Sequence, residues 1–347
     1  MVSTAEIINS SCLVYVDQDK SGIYRKGSAG HFYYVDIAGQ RITNEADLNR
    51  IKALVLPPAW KEVWISPSRN GYLQATGIDS LGRKQYRYHP EWVSRRSEKK
   101  YFNLLEFGKA LPAARKKIVI DLKRRVFDER KVLALCVALL QQTLIRMGNE
   151  SYKRKHGSYG LTTLKDRHLK EKDDKTFLCF TGKKGVRQEV ELSDKTLIRL
   201  VKRCKNIPGQ ELFQFYTRDG RHSAIDSGML NAYIREITGG DFTAKDFRTW
   251  GGTLEMFCQL TCFSMQYPEV SKKKIMVEAL DQVALKLGNT RAVCKKSYVD
   301  PRLLQAFEKG TLQPYLHKAG CKQRVMTKGM YPEEKILLQF LCHFPTS

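Results

Sequence analysis

The hydrophobic period of this chain changes once, near residue 100, and that change dictates a two-part architecture. From Gly22 to about Tyr88, short β-rich pieces alternate with turn signals: His31–Ile37 precedes Ala38-Gly39, Val63–Ile65 precedes Pro67, and Gln85–Tyr88 follows Leu81-Gly82. From about Phe102 to Phe307 the apolar residues recur at helical spacing instead. The expected fold class is α+β. A small β-rich N-terminal domain spans 1–96, a larger mainly α domain containing a β-hairpin or small sheet spans 97–310, and 311–347 is an appendage without an assigned role. Between the first two, Ser94–Lys100 is polar and carries Arg95, Arg96, Lys99 and Lys100, so it reads as a hinge or as the start of the second domain.

Inside the helical part, Val132, Leu133, Cys136, Leu139, Leu140 and Thr143 make one apolar face of a helix expected to end near Gly148. Thr176–Phe180 and Val186–Leu192 flank Thr181-Gly182-Lys183-Lys184-Gly185, the pattern of a β-hairpin with a glycine-rich turn. Ser193 reads as the N-cap of a helix carrying Leu197, Leu200, Val201 and Cys204. Further helices are expected over Met229–Ile237, from Asp246 onward, over Ile275–Leu287 and over Pro301–Lys309, with stops at Gly239, Gly288 and Gly310.

Charge narrows the partner. Lys and Arg number 60 against 36 Asp and Glu, a formal excess of +24, and a field of that sign and size favours polyanions, nucleic acid above all. The longest apolar run, Val132–Leu140, is too short to span a bilayer, and the N-terminus lacks a signal-peptide layout, so no membrane partner and a cytoplasmic, nucleoid-associated location are expected. Nine cysteines, an odd number without a C-x-x-C pair, indicate neither a disulfide framework nor a zinc ribbon. Neither G-x-x-x-x-G-K-[ST] nor G-x-G-x-x-G occurs, which argues against a nucleotide site. Asp173-Asp174 stands in a charged loop and the seven histidines are scattered, so no metal and no other cofactor is expected.

What remains is a cationic set near the edges of expected elements: Arg146, Lys183, Arg248, Asn289 and Tyr298. Singly, each has a plainer reading. Arg146 could complement a helix C-terminus, Lys183 could be a solvated turn residue, and Asn289 after Gly288 could be a helix stop. Their order and local context say more. Leu144–Gly148, Tyr159-Gly160-Leu161-Thr162-Thr163-Leu164, Phe180–Lys183, Lys245–Gly251, Leu287–Thr290 and Lys295–Tyr298 together resemble the catalytic core of poxvirus-like type IB DNA topoisomerases. Gly82–Tyr88 resembles the DNA-facing strand of the same family, so the resemblance covers about residues 20–310.

The resemblance implies a monomer that encloses double-stranded DNA between its two domains, cuts one strand, holds the 3′ phosphate on Tyr298 and reseals it after rotation, without ATP or metal. The residue types fit that chemistry. A phenol with pKa near 10 needs its phenolate and a pentacoordinate phosphorus stabilised, and the guanidiniums of Arg146 and Arg248 can bind equatorial oxygens in pairs. The 5′ alkoxide is a poor leaving group, and Lys183 at a hairpin tip is the general acid, with Arg146 assisting. Asn289 stands where poxviral members have histidine; its amide N–H can make the same contact to a non-bridging oxygen. This departure points to a bacterial rather than a viral source.

For DNA contact, Gln85, Tyr86 and Tyr88 resemble residues that touch bases or backbone in the major groove. Alternation puts Tyr86 and Tyr88 on one strand face, so the alternative is that both pack on the core. Tyr152 matches a family DNA contact, but Asn149 and Ser151 replace lysines of the sequence-selective poxviral enzymes, so target preference is expected to be altered or weaker. Basic runs such as Arg115-Lys116-Lys117, Lys123-Arg124-Arg125 and Lys153-Arg154-Lys155 supply further phosphate ligands. Two rivals stand beside this reading: a tyrosine recombinase, which usually carries histidine at the position of Lys245, and a non-enzymatic basic DNA-binding protein.

Overall fold

The structure is a computed structural model, and it describes Ile8 and residues 12–320 and 325–344, without the side chains of 97–99. Cys321 and the Lys99 side chain lie outside the described residues. The chain divides into two compact units, residues 1–100 and 101–347.

The first unit is built on a five-stranded antiparallel sheet of β1 (Ile23–Lys26), β2 (Tyr33–Val35), β3 (Lys61–Ile65), β4 (Leu73–Ile78) and β5 (Lys84–Tyr88), in the order β2-β1-β3-β4-β5. Val63, Ile65 and Ala75 face a small core with Ile23 and Ile51. Helix α1 (Glu45–Ala53), which the periodicity did not reveal, packs there through Ile51 alone among its fully buried residues. Its start is set by Asn44, whose side chain accepts from the N–H groups of Ala46 and Asp47. With one buried residue in nine, no helical apolar stripe was there to be read.

Helix α2 (Pro90–Leu122) includes Ser94–Lys100, so that segment is helical. In the second unit, α3 (Glu129–Thr143) is the central element: Val132–Val137, Leu139 and Leu140 are all buried, which makes it apolar on every side rather than on one face. It stops five residues before Gly148. Leu144 takes a left-handed conformation (φ 53°), and 144–149 runs on without helical structure. A non-glycine residue there costs about 1–2 kcal/mol, and the site below shows what its turned carbonyl does.

After α4 (Glu150–His156), a three-stranded antiparallel sheet joins β6 (Leu169–Lys172), β7 (Lys175–Thr181) and β8 (Arg187–Leu192) in that order. The β7–β8 hairpin matches expectation; β6 buries only Leu169, so its alternation was invisible. Helix α5 (Lys195–Lys205) is capped by Asp194, not Ser193. Asp194 Oδ1 accepts from Thr196 and Leu197. A small ribbon, β9 (Gln214–Tyr216) with β10 (His222–Ala224), precedes α6 (Ser227–Thr238), α7 (Ala244–Gln266), α8 (Lys272–Leu287), α9 (Arg291–Ser297) and α10 (Pro301–Lys309). Gly239, Gly288 and Gly310 cap three of these in left-handed conformation, as expected.

Helices α11 (Gln313–Ala319) and α12 (Pro332–His343) follow. Leu312, Leu316, Leu337, Phe340 and Leu341 belong to the same core as α3 and α7, so α11 and α12, within the stretch read as an appendage, are packed into the unit. Among the described residues no helix is long and apolar enough to cross a membrane. Of the described cysteines, Cys136, Cys204 and Cys294 are buried in that core, Cys258 is also buried, and Cys12 and Cys342 are exposed.

Candidate active site

Arg146 lies in the extended stretch after α3, and its backbone is pinned by the segment Gly160–Thr163. The Leu161 N–H donates to the Arg146 carbonyl at 2.8 Å. A Cβ on Gly160 would come within 2.5 Å of that carbonyl, and one on Gly148 within 2.4 Å of the Thr163 hydroxyl, so both glycines are demanded by close approach. The Arg146 guanidinium donates to the Gly288 carbonyl at 3.2 Å and to the Asn289 side-chain oxygen. Arginine has no acceptor, so Asn289 must turn its Oδ1 to Arg146. Its amide nitrogen is left with a long contact of 3.4 Å to the Leu287 carbonyl.

Arg248 stands on the second turn of α7 and is 4% exposed. It donates through Nη1 to the Leu144 carbonyl and through Nη2 to that of Leu287 at 3.0 Å. Its Nε is buried with no partner. The left-handed Leu144 thereby serves a purpose: it aims a carbonyl at Arg248, and Gly251 makes room for the Leu144 side chain, which a Cβ would meet at 2.5 Å. Burial lowers the Arg248 pKa below its ordinary value, against the opposing pull of Tyr298.

Tyr298 ends α9 with its ring 4.9 Å from the Arg248 guanidinium carbon. Burial pushes the phenol pKa up, but the charge of Arg248, a hydrogen bond from it, and the charges of Arg146 and Lys245 outweigh burial and hold it below the ordinary tyrosine value. Lys245, one turn before Arg248, is exposed. Lys183 sits in the turn between β7 and β8, closed by a 2.8 Å bond from the Gly182 N–H to the Val186 carbonyl. It is exposed at the rim of a small cleft that Arg146 and Arg248 also line. Arg146, Lys183, Arg248, Asn289 and Tyr298, five residues spread over more than 150 positions, thus come from five segments to one place.

Two contributors escaped the sequence. Gln188 on β8 packs on Gly288, where a Cβ would meet its Oε1 at 2.3 Å, and so ties the Lys183 hairpin to the turn that bears Asn289. Thr253, fully buried on α7, donates to the Tyr298 carbonyl at 3.1 Å and accepts from the Asp300 N–H at 3.1 Å. A buried threonine beside Gly251-Gly252 in mid-helix was the available signal, since small residues there mark close backbone approach.

Of the expected DNA contacts, Gln85 donates its amide to Asp79 at 2.7 Å. Tyr86 is 49% exposed and stacks on Tyr88 at 6.0 Å between ring centroids. Tyr88 is half-buried and continues onto Trp92 at 6.3 Å. The two tyrosines therefore share one face of the strand and differ in exposure, Tyr88 being half-buried against Trp92 and Tyr86 lying at the exposed end of the stack. Tyr152, on α4, is exposed with its ring near His156.

Residues 89–315 match the family model of the eukaryotic DNA topoisomerase I catalytic core, and 31–79 match that of the bacterial DNA topoisomerase IB N-terminal domain. A DNA topoisomerase 1B of Acanthamoeba polyphaga mimivirus is 32% identical over 83% of this chain and 88% of its own length. The DNA topoisomerase 1B of Vaccinia virus (strain Copenhagen) is 25% identical over 66% of this chain and 70% of its own. The chain belongs to the type IB DNA topoisomerases. It is an isomerase whose substrate is DNA.

Proposed function

We propose that this topoisomerase works as a monomer, without nucleotide or metal, through a 3′-phosphotyrosyl intermediate on Tyr298. The phenolate oxygen attacks the scissile phosphorus, its proton having passed to solvent. The bond from phosphorus to the 5′ oxygen breaks as Lys183 gives that oxygen a proton. Arg146, Arg248 and the Asn289 amide hold the non-bridging oxygens, and the free strand end rotates before the steps reverse. Because the phosphotyrosine conserves the energy of the broken bond, resealing needs no ATP.

One observation carries the reading: the buried Arg248 lies against the phenol and keeps a desolvated N–H unpartnered. A buried donor without an acceptor costs about 1–3 kcal/mol, and a phosphate oxygen would satisfy it while gaining a low-dielectric, charge-assisted bond. Gln85, Tyr86, Tyr88, Tyr152 and Lys245 contact the duplex in this reading, and the β-rich unit acts as a clamp domain. Gln85 would exchange its bond to Asp79 for one to a base, and Tyr88 would orient Tyr86 by stacking.

The purified protein should relax both negatively and positively supercoiled plasmid in excess chelator with no nucleotide, giving ladders of topoisomers. Relaxation that needs ATP or a divalent ion would overturn the proposal. Non-covalent binding of duplex should also weaken by roughly 0.9 log unit per tenfold rise in salt for each phosphate neutralised. With a formal charge of +24, a slope near zero in a filter-binding or anisotropy titration is incompatible with the clamp.

A further inference from the structure

The family match to the catalytic core ends at residue 315, yet a heavily engaged carboxylate close to the site lies beyond it, on α12. Glu334 is 1% exposed. Arg115 of α2 grips it with both terminal nitrogens, at 2.7 and 2.8 Å, the Trp250 indole N–H donates to it at 3.1 Å, and the Tyr331 N–H caps the helix through it at 2.9 Å. Trp250 is two residues beyond Arg248 on α7. Arg115 in turn donates through Nε to Gln141 at 2.9 Å, one turn before Leu144, whose carbonyl receives Arg248. One carboxylate therefore links the helix that carries Arg248 to the end of the helix that supplies its anchor and leads into Arg146.

We propose that Glu334 is a positioning residue for DNA cleavage, holding α7 and the end of α3 in the register that keeps Arg248 on its backbone anchors and over Tyr298. The inference rests on the reading of Arg248 as a phosphate ligand. Removing the carboxylate would leave the part-buried Arg115 without its counter-charge and the Trp250 N–H without its acceptor, so both helices would readjust. A displacement of about 1 Å at a catalytic group typically costs on the order of 100-fold in rate. The 325–344 segment is thus part of the machinery in this enzyme.

The test is single-turnover cleavage of a suicide duplex at saturating enzyme, with non-covalent affinity measured separately. Glu334→Ala should cleave about 10- to 100-fold more slowly, with duplex affinity within about threefold of wild type. Glu334→Gln, which keeps an acceptor for Trp250, should recover part of the loss. In an Arg248→Ala background Glu334→Ala should add nothing, because the group it positions is gone. If Glu334→Ala does not fold, Trp250→Phe removes the indole donor together with part of its buried ring while leaving the Arg115–Glu334 pair in place, and should slow cleavage about 3- to 10-fold, again silently without Arg248. A wild-type rate in these variants, or losses that multiply with that of Arg248→Ala, would overturn the positioning role. Unimpaired cleavage by Arg248→Ala alone would instead overturn the reading on which it rests.

Discussion

Tyr298→Phe is expected to abolish the covalent adduct with a suicide duplex and to lower strand cleavage by roughly 10⁴-fold or more, while leaving duplex affinity within about threefold of wild type. The substitution removes one oxygen and keeps the ring that lies over Arg248, so packing and fold should survive and thermal melting should be little changed. Two other tyrosines stand close enough to be rivals. Tyr101 is 3% exposed and donates to the Val299 carbonyl at 2.8 Å, and burial drives its pKa up. Tyr159 lines the cleft, but its hydroxyl accepts from Arg167 at 3.1 Å. Tyr298, by contrast with Tyr101, is drawn toward phenolate by two arginines and a lysine. On a denaturing gel the wild type and Tyr159→Phe should therefore show protein-linked strand, and Tyr298→Phe none. A persistent adduct in Tyr298→Phe would assign the nucleophile elsewhere.

Legibility in the sequence followed how local each cause is. Gly239, Gly288 and Gly310 announced their helix ends because a left-handed cap is a one-residue demand, and Lys183 announced its hairpin because the turn lies between two alternating strands. The end of α3 was misjudged for the opposite reason. Leu144 is held left-handed by tertiary contacts, its carbonyl receiving Arg248 from 104 residues away and its side chain seated on Gly251. No local propensity encodes either. The α1 helix and β6 were missed because each buries a single side chain completely, which leaves no period to detect. The catalytic candidates emerged from ordered blocks rather than from any one motif, and the structure gives those blocks distinct tasks: Leu161 holds the Arg146 carbonyl that Gly160 lets come close, Gly251 seats Leu144, and Gly288 admits Gln188. Glu334 was out of reach because what it does depends on partners 84 or more positions away, and Thr253, whose partner is 45 positions away, left only the indirect signal of the neighbouring glycines.

Arg248→Ala should slow cleavage by about 10²- to 10³-fold, equivalent to about 2.7–4 kcal/mol of lost transition-state stabilisation. It should also move the pH profile. Burial raises the Tyr298 pKa, and Arg248 is the first of the groups that lower it, with the net position below the ordinary value near 10. The wild-type cleavage rate should accordingly rise with pH and level off below pH 10. Without Arg248 the desolvation of the phenol is met only by Arg146 and Lys245, so its pKa rises and the plateau moves to higher pH. Arg248→Lys separates charge from geometry. An ammonium keeps a positive charge near the phenol, so the profile should stay close to that of wild type, yet its N–H groups radiate from a single nitrogen and do not reproduce the planar fork that reaches the Leu144 and Leu287 carbonyls from Nη1 and Nη2 while aiming Nε at phosphate. Its rate should remain depressed at every pH. A variant without the guanidinium that cleaves within threefold of wild type, along an unshifted profile, would remove Arg248 from the chemistry and leave Arg146 as the one guanidinium facing the phosphate.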